Sequence, residues 1–424
     1  MRVRLRVLAV FFTVVMSLMA PCTEATAQAA LAPIIVKVVD SNTKKPIKDA
    51  FVTVGNSVFR TDDNGTYSLT SPATKVAVRA YGYTRNEQVV SGGNPIEIKL
   101  TPFAPRALYL SFYGIGDRKI RNSALDLIAQ TELNALVIDV KGDRGMINYK
   151  SSIALASEIG AQKIITVRDA RELIKTLKDK GIYLIARIVV FKDNLLAQAR
   201  PGLAIKSKSG DMWRDREKLA WVEPFSKEAW EYNIKIAEEA AQLGFDEIQF
   251  DYMRFPDVKG LTFSVPNTQE NRVNAISGFL KEARKRLEPY NVFISGDIFG
   301  YVCWNLDDTQ IGQTIDSAVG NLDYVSPMLY PSGFQFGIPE YRNPIVNSNK
   351  IVYLSLKRAQ ERANVPPNRF RPWLQAFKDY AFDRRHFTAK EIKEQVNAAE
   401  QFGSHGWMLW NPRNSYTNAG LKSN

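Results

Sequence analysis

An alternation constrains this chain more than any other feature. Eight short apolar runs recur at residues 107–112, 136–140, 183–191, 248–251, 292–295, 324–329, 373–377 and 407–410. Stretches with apolar residues at helical spacing lie between them, at 169–180, 227–243, 271–287, 345–363 and 388–402. The runs are nearly continuous in apolar residues, as parallel strands buried on both faces are. Strands alternating with helices in this way predict an α/β chain closed into a (β/α)8 TIM barrel over residues 106–424. An open, doubly wound sheet is the alternative. No Gly-x-Gly-x-x-Gly follows any of the runs and no Walker motif is present, so a nucleotide-binding version of that sheet is disfavoured.

The barrel leaves about a quarter of the 424 residues upstream. Arg2, Arg4 and Arg6 open the chain, an apolar run spans 7–19, and Ala27-Gln28-Ala29 follows. That order reads as a signal peptide over 1–29, cleaved near Ala29, on a protein exported to the periplasm, the cell surface or the medium. Cys22 raises a lipoprotein reading, but Pro21 stands where a lipobox needs a small residue. Cleavage removes three arginines and Glu24, lowering the net charge from +12 to +10. It also leaves Cys303 as the sole cysteine. With two cysteines and two histidines in all, a disulfide framework, a Cys/His zinc site or any other metal or cofactor centre is not expected.

Residues 30–100 carry short strand-like runs at 34–39, 50–54, 66–69, 75–80 and 96–100, the spacing of a small β-sandwich. Asp62-Asp63-Asn64-Gly65 reads as an Asx-type turn closing a hairpin rather than a calcium loop. Val39-Asp40, Lys45-Pro46-Ile47, Ala50-Phe51-Val52, Thr61 to Tyr67 and Ala80-Tyr81-Gly82-Tyr83 together resemble the carboxypeptidase regulatory-like domain. The resemblance implies a non-catalytic adaptor. Two prolines within 101–105 mark a linker, so this unit is expected to be dispensable for chemistry.

In a barrel of this kind the working residues sit at the C-terminal ends of the strands. That rule selects Asp139 and Lys141 on the second strand, Arg187 on the third, and Asp251, Tyr252 and Arg254 on and after the fourth. Asp297 follows the fifth, Tyr330 the sixth, Trp373 and Gln375 mark the seventh, and Trp407, Trp410 and Asn411 the eighth. Trp213 joins them from a polar loop at 206–218. Carboxylate pairs cleave glycosidic bonds as acid plus nucleophile or base. Aromatic faces pack on the C–H faces of sugars. Asp251 is expected to be the ionised member, held so by Arg254, and Asp297 the protonated acid, approached closely by ligand because Gly296 precedes it. Asp139 and Lys141 read equally as a salt bridge lining the mouth or as substrate contacts. Trp373, Trp407 and Trp410 read equally as sugar platforms or core. Asp193 and Glu223 are weaker candidates, Asp246 and Glu247 start a strand on the stability face, and His386 is no more than a possible contact.

Gly244 to Pro256, with the core Asp246-Glu247-Ile248-Gln249-Phe250-Asp251-Tyr252-Met253-Arg254-Phe255-Pro256, resembles the signature of a glycosidase-like TIM-barrel family of bacterial exported proteins. Trp221-Val222-Glu223-Pro224, Ser326 to Pro331, Arg371 to Phe377 and Gly406 to Asn411 fit the same family, so the likeness spans nearly all of 105–415. It implies hydrolysis of a cell-wall or extracellular polysaccharide. The fourth-strand motif also echoes family 18 chitinases, which require a Glu acid two places after the last Asp, where this chain has Met253. Their mechanism therefore does not carry over. A non-catalytic glycan-binding barrel is the second reading, and a metal-dependent deacetylase is disfavoured by the scarcity of histidine. The positive charge allows an anionic cell-surface polymer as partner. Nucleic acid is not expected for an exported protein, and the sequence is silent on oligomeric state.

Overall fold

The computed structural model describes residues 33–70, 73–90 and 94–424. The signal-peptide reading and Cys22 lie outside these residues. Among them, no helix is long and apolar enough to cross a membrane.

The upstream unit has seven strands: β1 (Ile34–Asp40), β2 (Phe51–Val54), β3 (Ser57–Arg60), β4 (Thr66–Leu69), β5 (Lys75–Arg79), β6 (Asn86–Val89) and β7 (Ile96–Leu100). They form two sheets, ordered β4-β1-β7 and β3-β2-β5-β6, which close over a core of Val36, Val38, Val52, Val76, Val78, Ile96 and Ile98. β3 and β6 had no sequence signal, because they are short and polar on their exposed faces. The expected hairpin across 62–65 is corrected. β3 and β4 lie in different sheets, so this turn carries the chain from one sheet to the other. It is an Asx turn all the same: Asp62 Oδ1 accepts the backbone N–H groups of Asn64 and Thr66 at 3.0 and 2.8 Å.

Downstream, β8 (Arg106–Leu110), β9 (Ala135–Lys141) and β10 (Tyr183–Val189) begin the barrel. A two-stranded ribbon of β11 (Lys206–Ser207) and β13 (Leu261–Thr262) flanks β12 (Glu247–Asp251). β14 (Phe293–Phe299), β15 (Tyr324–Met328), β16 (Trp373–Gln375) and β17 (Trp407–Trp410) complete it. The eight strands close in the order β10-β12-β14-β15-β16-β17-β8-β9, every pair parallel. This is a (β/α)8 barrel. The five expected helices form, at Ala170–Asp179, Lys227–Leu243, Gln269–Leu287, Ser348–Ala363 and Ala389–Phe402. Five more helices among the described residues, Phe112–Gly116, Arg118–Gln130, Ala154–Glu158, Asn194–Ala199 and Ile315–Asn321, were not expected; all but Arg118–Gln130 are too short to show a helical period.

The β-sandwich docks on the N-terminal end of the barrel, and the joint between them is not a free linker. Phe103 N–H donates to Gly82 O at 2.9 Å, and the Phe103 ring packs on Tyr183 inside the barrel. Gly406, at φ +73°, lets Pro105 pass. A Cβ there would sit 1.8 Å from Pro105 O, so no other residue fits. Arg85 of the sandwich donates to Asp246 and to the carbonyls of Gly244 and Phe245. Tyr81 packs edge-on against Tyr324. The sandwich therefore plugs the bottom of the barrel, at the end away from the mouth.

Candidate active site

Side chains alternate along each barrel strand, so every second residue points inward. Register sets the neighbours. Arg187 on β10 lies opposite Asp139 on β9, and Val189 lies opposite Asp251 on β12. The result is a buried bridge at the C-terminal mouth. Arg187 Nη1 donates to Asp139 Oδ1 at 2.6 Å, and its Nε and Nη2 donate to Asp251 Oδ2 at 2.9 and 2.5 Å. Asp251 Oδ1 takes the N–H of Tyr252 at 2.6 Å. Tyr252 itself stands at φ +49°, a left-handed conformation uncommon for a non-glycine residue.

Asp297, on the neighbouring strand β14, is as deeply buried but differently served. Trp373 Nε1 donates to its Oδ1 at 2.7 Å, while Oδ2 has no partner. Burial, and then the negative charge of Asp251, push its carboxyl well above the usual carboxylate range. Burial thus favours the protonated form of Asp297. Asp251 is ion-paired. One ion-paired carboxylate beside one carboxyl that burial pushes toward its protonated form suits acid-plus-nucleophile or acid-plus-base chemistry.

A cavity of about 260 Å³ opens at Asp251; Asp297 is not part of its wall and touches it through its bond to Trp373, which is. The cavity is lined by Arg187, Asp251, Tyr252, Arg254, Tyr330, Trp373 and Trp410 from the sequence reading. Met328, which the sixth strand carries to the mouth, lines it as well, with Phe299, Tyr301, Phe334 and Tyr380, which sequence reasoning did not single out. Phe299 and Met328 close strands β14 and β15, and Tyr301, Phe334 and Tyr380 follow β14, β15 and β16; three of the aromatics lie beside glycine, in Phe299-Gly300-Tyr301 and Gly333-Phe334. That was the signal available. Tyr109 on β8 also serves the mouth: its ring stacks on Trp410 at 3.9 Å, and its hydroxyl donates to Asp139 Oδ2 at 2.7 Å. Burial, followed by the charges of Asp297 and Asp251, holds the Tyr330 hydroxyl well above its ordinary pKa.

Several expected contacts are corrected. Asp139 is buried with Arg187, Tyr109 and the Phe112 N–H as partners, so it orients Arg187 rather than reaching substrate. Lys141 follows a register shift on β9 and turns out of the barrel. There it pairs with Asp193 at 2.7 Å and donates to Val189 O, fully buried and unconnected to Asp139. Trp407 faces the helices in the outer core. Gln375 spends its amide on Ser332 and Phe377 O, and Asn411 spends its own on Ala376 O and Ser415 O. Trp213 packs on Trp221 and is not in the cavity wall. Arg254 does not pair with Asp251. It donates to Phe255 O and lies over the rings of Trp221 and Tyr252. Gly296 faces outward: a Cβ there would meet Met253 Cε at 2.5 Å, so the glycine makes room for Met253, not for ligand. Trp373 is neither a bare platform nor plain core, since its indole holds Asp297. Glu223 accepts Ser264 N–H, Asp193 caps the helix Asn194–Ala199, and His386 is exposed on a loop outside the cavity wall. Among the described residues no group of acids, histidines or cysteines is arranged to hold a metal ion.

The family model described as "Putative glycosyl hydrolase domain" matches residues 107–416. None of the curated proteins matches the chain. Among solved structures, a hypothetical protein from Ruminiclostridium thermocellum is 40% identical over 45% of this chain and 96% of its own, with a TM-score of 0.40. The glycoside hydrolase domain of PgaB (BpsB) from Bordetella bronchiseptica is 14% identical, covers 74% of this chain and 95% of its own, and has a TM-score of 0.55. That likeness is one of fold. The Bacillus cereus spore cortex-lytic enzyme SleL is 14% identical over 78% of this chain and 75% of its own, with a TM-score of 0.45.

Proposed function

The chain belongs to this glycosyl hydrolase family, and from that premise we propose that it is an exported glycosidase that cleaves a bacterial cell-wall or extracellular polysaccharide with Asp297 and Asp251. The observation that carries the reading is the contrast between the two acids: Asp251 ion-paired to Arg187, Asp297 pushed toward its protonated form by burial. Asp297 donates its proton to the leaving-group oxygen. Asp251 attacks the anomeric carbon or activates a water there, and its Arg187 partner keeps the carboxylate aimed. Trp410 and Tyr330 offer faces to the sugar ring, and Trp373 positions Asp297 through its indole N–H. The β-sandwich, with its likeness to regulatory-like adaptors, serves as the barrel's base rather than as part of the chemistry.

The test is a screen of purified residues 30–424 against bacterial cell-wall and exopolysaccharide glycans, read by released reducing ends, with the anomer of the first product assigned by NMR. Cleavage that Asp251→Asn abolishes supports the assignment. Glycan binding with no reducing end released from any polymer would make this a binding barrel instead.

A further inference from the structure

We infer that the substrate of this site is anionic, and that Arg254 recognises an oxyanion, a carboxylate or phosphate ester, on the sugar bound in the mouth. The inference rests on the glycosidase reading and adds the chemical class of the substrate. Two guanidiniums line the cavity. Arg187 is neutralised by Asp139 and Asp251. Nearby Lys192 is likewise surrounded, by Asp143, Asp215 and Glu217. Arg254 has no carboxylate partner among the described residues, and its only hydrogen bond runs from Nη1 to Phe255 O at 3.1 Å. Its remaining N–H groups are neither buried nor bonded, and the residue lines the cavity, so they open onto it.

The guanidinium is also held in place. Its Cζ lies 5.1 Å from the ring centroids of both Trp221 and Tyr252. Trp221 is itself fixed by an indole bond to Asp215 at 3.0 Å. An unpaired, pre-ordered guanidinium matches planar oxyanions with paired donors, and little side-chain freedom is lost when it binds. A neutral sugar would leave that charge without a partner in the mouth.

The test is independent of turnover. Intrinsic tryptophan fluorescence, which Trp221, Trp373 and Trp410 place at the site, follows titration of residues 30–424 with D-glucuronate, D-glucose and D-glucose 6-phosphate. The wild type is expected to bind at least one acid sugar roughly tenfold more tightly than glucose, the scale of a charge-assisted hydrogen bond. The tighter of the two acids assigns the oxyanion to carboxylate or phosphate. Arg254→Met should bring the acid-to-neutral ratio within about twofold of unity. Should that variant not fold, Arg254→Lys, which keeps the charge and loses the fork, should lower the ratio at least threefold. Equal affinities in the wild type, no binding of either acid sugar, or a preference that survives these substitutions would overturn the inference. Reducing-end release from a polymer would still stand in that case, so the two readings fail separately.

Discussion

Glu247 and Asp297 are both buried carboxylates that point into the barrel, one at each end, and they are treated in opposite ways. At the closed end, Arg371 donates to both oxygens of Glu247 at 2.7 and 2.8 Å, and Tyr183 adds a third bond at 3.0 Å. The same Arg371 donates to His405 Nδ1, whose Nε2–H goes to Phe103 O. Burial and the neighbouring guanidinium hold His405 well below its ordinary pKa, so it is neutral. Asp246 and Asp323 beside them also have both oxygens bonded. At the open end Asp297 has one bond and one bare oxygen. A buried acid without a partner must neutralise itself by holding its proton. Full pairing makes a base plate. Incomplete pairing makes an acid.

The largest break in this comparison should come from Asp297→Asn. The amide copies the shape of the neutral acid, so the unfolding midpoint should move little. Turnover on unactivated glycans should fall by roughly 10²–10⁴-fold, with a smaller loss on substrates carrying good leaving groups. The pH profile sharpens the same point. Asp297 acts protonated, so kcat/KM should fall as pH rises through its raised pKa, and the variant should lose that basic limb. The stability sign agrees: a carboxyl whose folded pKa is raised favours the folded state at low pH and loses that contribution as pH climbs through the folded value. Asp251→Asn should cost turnover on a similar scale. It should also lower the melting temperature, since Arg187 keeps Asp139 and the longer contact to Asp143 but loses its two bonds to Asp251.

Glu247→Gln reverses the pattern. It strands Arg371 in the barrel floor, a loss of about 3–5 kcal/mol by chemical denaturation, while activity per folded molecule is retained. Arg85→Ala, which removes the sandwich's charged anchor on Asp246, should cost about 2 kcal/mol. Smallest is Gly296→Ala. Its new methyl meets the side-chain ends of Met253 and Leu322, so about 1 kcal/mol is expected with no change in KM. A KM effect there would restore the reading of Gly296 as a ligand approach.

The amino-acid order alone determined the barrel, because eight apolar strands and the helix-period stretches between them leave few other ways to bury their surface. It also placed Asp251 and Asp297 at the mouth, because residues at the C-terminal ends of barrel strands can only point there or outward. It did not decide who pairs with whom. Arg254 is three residues from Asp251 and Lys141 two from Asp139, yet both carboxylates share Arg187, which is more than forty residues from either. Partners inside a barrel are set by strand register and inward alternation, which join residues across strands rather than along them. The register shift that turns Lys141 outward, the left-handed Tyr252, and the docking of Phe103 and Arg85 under the barrel are likewise tertiary results. Each depends on what another part of the chain brings to the same point in space, and local sequence carries no record of that.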